Sequence, residues 1–308
     1  MSELEHLRDK SVSLVLGSGG ARGLAHIGVI EVLNEAGARI EAIAGSSMGA
    51  LVGGVHAAGK LERYAEWVRT LEQSDVLGLL DWNFTGGGLF RGRKIIDKLE
   101  ELIGDCTIES LDIDYTAVAV DLDRGREVWL SNGSLFEAIR ASIAIPGIFT
   151  PHRYRGRTLV DGGLLNPVPV APTLRTITDL TLVVDVNGPP MGAHEESEQQ
   201  QSEGDDSGVW ARLKEWADGF KPNRQLQSAG PGLIATMVLS LEIMEGAITR
   251  HQMASFQPDM TIRIPKNACM IHEFHRADEV IDLGRKLARE SLQQDQGESN
   301  ADRPEPPA

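Results

Sequence analysis

The chain has 308 residues, 41% of them hydrophobic, a formal net charge of −15 and two cysteines. That length supports one large domain or two small ones, while the acidic balance argues against a nucleic-acid-binding surface. Cys106 and Cys269 are too few for a disulfide framework, the first ten residues lack a secretory apolar region, and no run of about 18 apolar residues could form a spanning helix.

In chain order, Ser13–Leu16 is a short apolar run that predicts a buried strand. Glycine-rich residues 17–23 follow, and then a predicted helix over Leu24–Ala36, with Ile27, Ile30 and Leu33 at helical spacing and Gly37 as its stop. Ile40–Ala44 predicts a second strand and Met48–Ala58 a second helix. Further strands are expected at Tyr115–Leu122, Glu127–Leu130, Thr158–Asp161, Leu180–Val186 and Met260–Ile264. Further helices are expected at Arg93–Ile103, Leu135–Ser142, Pro231–Arg250 and His275–Leu292. This alternation implies a layered α/β domain over residues 12–292, with a mainly parallel central sheet flanked by helices. Residues 188–208 hold six acids and no Lys or Arg, and 293–308 hold four acids against Arg303. Both lack the apolar residues needed to offset ordering entropy, so a disordered acidic loop and a disordered acidic tail are expected.

Four stretches carry chemistry. Gly17-Ser18-Gly19-Gly20-Ala21-Arg22-Gly23, between a strand and a helix, can present N–H groups to an anion, either a nucleotide phosphate or an oxyanion. A dinucleotide site would want a carboxylate at the end of the next strand, where Ala44-Gly45-Ser46-Ser47-Met48-Gly49 stands instead. Gly45-x-Ser47-x-Gly49, after a strand and before a helix, fits a nucleophile elbow. Asp161-Gly162-Gly163 puts an uncrowded carboxylate at a strand end, where it could serve Ser47 as a base. Ser142–Pro151 is an apolar, proline-broken segment whose simplest reading is a buried connection.

Taken together, these stretches resemble the bacterial branch of the patatin-like phospholipase family, which includes neuropathy-target-esterase-like proteins. The likeness rests on residues 16–28, Gly45–Gly49, Ser142–Pro151, Asp161-Gly162-Gly163 and Asn166-Pro-Val-Pro169. It implies a layered patatin-like fold and a Ser–Asp dyad with no cofactor, and no histidine or metal in the catalytic step. Carried over by residue, Ser47 is the nucleophile and Asp161 the base. Gly19, Gly20 and Ala21 supply the oxyanion hole, and Arg22 helps to hold that loop. The family loop usually reads Gly-Gly-Gly-x-Arg-Gly, and Ser18 stands at its first glycine, either accepting a glycine-like backbone or bringing its hydroxyl into the site.

The resemblance makes phospholipid or lysophospholipid the expected substrate, in a cytoplasmic protein open to peripheral contact with the inner membrane face. Protein partners are not legible. Leu77–Phe90 could wall or cover an acyl cleft. Trp210, Leu213, Trp216 and Phe220 recur at near-helical spacing, suited to docking on the domain or lying at a lipid interface. Two alternatives stay open: a Ser-His-Asp triad of the α/β-hydrolase kind, and a non-catalytic lipid-binding regulator. His26, His152, His194, His251, His272 and His275 are the histidines weighed for the triad.

Overall fold

Ser11–Leu16 (β1) is buried along its whole length because both faces of the strand are covered. Val12, Leu14 and Leu16 enter the main core, whereas Val15 enters a smaller one on the opposite face with Val168, Val170 and Val183. The computed structural model describes residues 4–75, 88–90, 93–191 and 233–301. After β1 come α1 (Ala25–Glu35), β2 (Arg39–Ser46), α2 (Met48–Ala57), α3 (Leu61–Arg69), β3 (Gly88–Phe90) and α4 (Arg93–Ile103). β4 (Asp114–Asp121), β5 (Arg126–Leu130), α5 (Leu135–Ser142), β6 (Gly147–Phe149), β7 (His152–Tyr154) and β8 (Arg157–Asp161) follow. β9 (Leu180–Gly188), α6 (Leu233–Phe256), β10 (Met260–Pro265) and α7 (Ala277–Ala301) complete the order.

The main sheet runs β10-β9-β1-β2-β4-β8-β7, and β5 also pairs with β4. Its first five strands are parallel neighbours, while β5, β7 and β8 pair antiparallel. Side chains of α1, α2 and α7, among them Ile27, Ile30, Leu51, Ile281 and Leu292, fill the main core against the sheet. On the other face, Val168, Val170 and the α6 residue Met253 cover Val15 and Val183. This is the expected mixed α/β architecture with helices flanking a central sheet.

One register detail places the site. Ser46 of β2 pairs with Val118, and Asp161 of β8 pairs with Ala119, the next residue along β4. Leu130 and Trp129 of β5 pair with Ala117 and Val118 from the other edge. β2 and β8 therefore share one edge of β4, approach from opposite directions, and end side by side.

Three helices differ from the sequence reading. Nothing predicted α3, an amphipathic helix with Tyr64, Ala65 and Val68 buried on one side. α6 continues to Phe256, past the expected end at Arg250. α7 continues through Ala301, so residues 293–301, expected as a disordered tail, are helical. They carry Gln, Glu and Ala, good helix formers, and the next proline is Pro304. Residues 1–3, 76–87, 91–92, 192–232 and 302–308 lie outside the described residues, and with them most of the Leu77–Phe90 stretch, most of the acidic loop, His194 and the Trp210–Phe220 segment. Among the described residues, no helix is long and apolar enough to cross a membrane.

Candidate active site

Ser47 occupies the single residue between β2 and α2, with φ 55° and ψ −124°. A serine with positive φ is strained, and the structure enforces the strain by running the helix back across the strand ends. Only glycine fits on either side: a Cβ on Gly49 would lie 2.0 Å from the Leu16 carbonyl oxygen, and one on Gly45 2.4 Å from the Ala50 nitrogen. The Tyr115 hydroxyl donates to the Ala50 carbonyl at 2.7 Å, tying the first turn of α2 to β4. The Ser47 N–H donates to Ser142 Oγ at 3.0 Å, and the Ser142 hydroxyl donates to the Val118 carbonyl at 2.6 Å. The proline-broken segment after α5 thus begins with a clamp on the elbow.

Asp161 is almost entirely buried. Its N–H donates to the Ala144 carbonyl at 3.0 Å, so the same segment fixes it too. Oδ1 accepts the Gly163 N–H at 2.8 Å, and Oδ2 is buried with no direct hydrogen-bond partner among the described residues. Burial pushes the Asp161 pKa up to about 7, against the opposing pull of the Ser47 hydroxyl and the Gly163 N–H, which favour the ionised form.

The glycine loop lies beside the elbow because β1 and β2 are neighbours, with Leu16 opposite Gly45. Its N–H groups divide into two sets. Those of Gly17 and Ser18 donate to Val184 and Pro167 carbonyls at 3.0 and 2.8 Å. The Ala21 N–H, expected in the oxyanion hole, instead donates to the Ile271 carbonyl at 2.9 Å and is already engaged. The N–H groups of Gly19 and Gly20 have no partner among the described residues. Gly20, at φ 56°, sits against Ile271, where a Cβ would come within 2.6 Å of its carbonyl oxygen.

Arg22 holds this loop from below. Its buried guanidinium donates to Asn187 Oδ1 and Glu242 Oε1, each at 2.7 Å, and lies 3.4 Å from the Lys266 carbonyl. His26 is fully buried, and burial lowers its pKa to about 4, against the hydrogen bond to Gly17. It is therefore neutral at pH 7, with Nε2 2.9 Å from the Gly17 carbonyl oxygen as a loop anchor. Ser18 adopts no left-handed backbone, so the departure from glycine is accommodated without strain of that kind. Its hydroxyl faces the Glu245 carboxyl on α6.

The structure brings together Ser47, Asp161 and the Gly19–Gly20 pair. Among the described residues, no histidine is hydrogen-bonded to Ser47 or Asp161; His152 pairs with Glu137 at 2.7 Å. No three His, Cys, Asp or Glu side chains of the described residues are grouped to hold a metal ion. Glu242 and Glu245 escaped the sequence reading, which took Ser142 and Ala144 only as parts of a buried connection. A lone serine at a helix end, a main-chain oxygen and two acids on a distant helix carry no local signature.

A family model described as patatin-like phospholipase matches residues 14–174. An uncharacterized NTE family protein of Mycobacterium tuberculosis is 39% identical, over 92% of this chain and 91% of that protein. The lysophospholipase nte1 of Emericella nidulans is 25% identical over 96% of this chain, which spans 19% of that longer protein. Among solved structures, VipD from Legionella pneumophila aligns at a TM-score of 0.42 with 15% identity, over 92% of this chain and 67% of that one. With an elbow serine, a glycine loop and a buried aspartate built on this sheet, the chain belongs to the patatin-like phospholipase family, in its NTE-like branch.

Proposed function

We propose that this chain is a serine acyl hydrolase that cleaves carboxylic ester bonds of phospholipids or lysophospholipids, with Ser47 as nucleophile and Asp161 as base. One observation carries the reading: a left-handed serine at a strand–helix turn stands beside a buried carboxylate whose pKa burial has raised to about 7. An ordinary aspartate, near 3.9, is a poor base for a hydroxyl, and withdrawal from water supplies the missing basicity. Membership of a phospholipase family and similarity to a protein named lysophospholipase support the substrate class.

In the first step Ser47 Oγ bonds to the ester carbonyl carbon while its proton passes to Asp161. The carbonyl oxygen takes up the negative charge and faces the Gly19 and Gly20 N–H groups, with Arg22 and His26 holding the loop in place. Collapse breaks the ester C–O bond, and Asp161 returns the proton to the departing alcohol. Water then attacks the acyl-serine, giving its proton to Asp161, and fatty acid leaves as Ser47 recovers that proton. The reading brings the chain to a lipid surface from the cytoplasmic side, and the exposed Met237, Ile243 and Met244 of α6 support apolar contact there.

The test is fatty-acid release from phospholipid and lysophospholipid by wild type, Ser47→Ala and Asp161→Asn, with chelator present. Wild-type release that is indifferent to chelator, with each variant down by roughly 1,000-fold or more, is the expected result. Release by either variant near the wild-type rate would refute the dyad.

A further inference from the structure

α6 lies against the glycine loop and brings two acids to it, Glu242 and Glu245, about one turn apart. They are placed differently. Glu242 meets the Arg22 guanidinium at 2.7 Å. Glu245, half-buried, pairs with no cation of the described residues; its carboxyl oxygens stand 3.3 and 3.4 Å from Ser18 Oγ. A Cβ built on Gly163 would come within 2.6 Å of both Glu245 Oε1 and Ser18 Oγ. The carboxyl therefore rests on the turn whose N–H holds Asp161. Three charged groups act on it: Asp161 at the end of β8, Arg22 in the glycine loop, and Glu242 on its own helix. Arg22 is already paired with Glu242, so the charges of Asp161 and Glu245 oppose each other with no further cation of the described residues acting on Glu245.

The reaction decides which of the two is ionised. Asp161 must be an anion to take the Ser47 proton. A second anion at Glu245 would oppose both that charge and the oxyanion forming at Gly19 and Gly20. We propose that Glu245 is a positioning residue of this site, working as the protonated carboxyl partner of an ionised Asp161 and held to the glycine loop through Ser18. The proposal rests on the acyl-hydrolase reading. Burial, with the neighbouring Asp161 and Glu242, pushes the Glu245 pKa up to about 8, while Arg22 and the Ser18 hydroxyl pull it down. The active form thus needs Asp161 without a proton and Glu245 with one, which gives a bell-shaped dependence on pH.

The experiment is kcat/KM for a soluble short-chain acyl ester at pH 7 and pH 9, in wild type, Glu245→Gln, Ser18→Ala and Ser47→Ala. Wild type is expected to fall about fivefold between the two pH values, as Glu245 loses its proton. Glu245→Gln, which mimics the protonated carboxyl, is expected to show no fall. Ser18→Ala removes a hydrogen bond to the charged form and should move the alkaline limb to higher pH. It carries the test by itself if Glu245→Gln does not fold, as judged by circular dichroism. A Glu245→Gln profile that falls as wild type does, or an unmoved limb in Ser18→Ala, overturns the proposal while leaving the dyad intact. Activity surviving Ser47→Ala overturns the parent reading and this one with it.

Discussion

The ends of β2 and β8 meet on one edge of β4, yet they store their tension in different forms. At the end of β2, Ser47 is strained in its backbone, at φ 55°, and glycines on both sides let the helix press close. At the end of β8, Asp161 has a relaxed extended backbone, φ −50° and ψ 136°, and its strain is electrostatic. A carboxyl is withdrawn from water with one oxygen bonded to an N–H and the other without a direct partner among the described residues. On the proposed mechanism, one end fixes where the reacting oxygen sits and the other how strongly its proton is drawn. Both are pinned by the segment after α5, through Ser142 and the Ala144 carbonyl.

If that division holds, substitutions at the two ends should differ in kind. The largest effect on stability is expected at Asp161, and it should depend on pH. Its folded pKa lies above the unfolded value, so its contribution is fully present below about pH 4 and is lost as pH rises through about 7. Asp161→Asn removes that loss, and its stability advantage over wild type should grow to at most about 4 kcal/mol between pH 4 and pH 8. Urea unfolding at the two pH values measures the gap; a constant gap would mean that Asp161 is not desolvated. His26 shifts the opposite way and costs stability as pH falls from 6.5 towards 4, but it is common to both proteins and cancels in the difference.

Next in size is Gly49→Ala, which puts a methyl group 2.0 Å from a main-chain oxygen that cannot rotate away. A loss of about 3 kcal/mol or more is expected, with no pH dependence. A nearly neutral change, measured by thermal unfolding, would show that α2 can lift from the sheet and that Ser47 is not held by close packing. The smallest effect is expected for Ser47→Gly, which relieves the backbone. It should be inactive and about 1 kcal/mol more stable than Ser47→Ala, which keeps the strain. Equal melting temperatures for the two variants would remove backbone strain from the account.

Legibility in the sequence follows the same division. The β2 end is a local event, strand, turn and helix within a dozen residues, and Gly45-x-Ser47-x-Gly49 announces it. α5 was legible residue for residue, and its N-cap explains why: Ser134 Oγ accepts the Glu137 N–H at 3.3 Å, marking the start of the helix. The β8 end is not local. Asp-Gly-Gly is an ordinary turn until β4 brings it to Ser46; its strand-end carboxylate made it a candidate base, and the family resemblance paired it with Ser47. Ala21 was misassigned because its partner, Ile271, lies 250 positions away. Glu245 was invisible for a related reason, since α6 is apolar on most sides and nothing in its own sequence marks the glycine loop as its neighbour. The short strands β6 and β7, three residues each, carry too little periodicity to predict.

The most direct test of the central claim, that a desolvated Asp161 draws the Ser47 proton, is the rate at which a fluorophosphonate probe labels Ser47 as a function of pH, followed by intact-protein mass. The acid limb of the wild-type rate should rise through a pKa near 7, and labelling of Asp161→Asn should be slower by roughly 1,000-fold or more at the wild-type optimum. Labelling that is flat between pH 5 and pH 8, or that persists in Asp161→Asn, would contradict it.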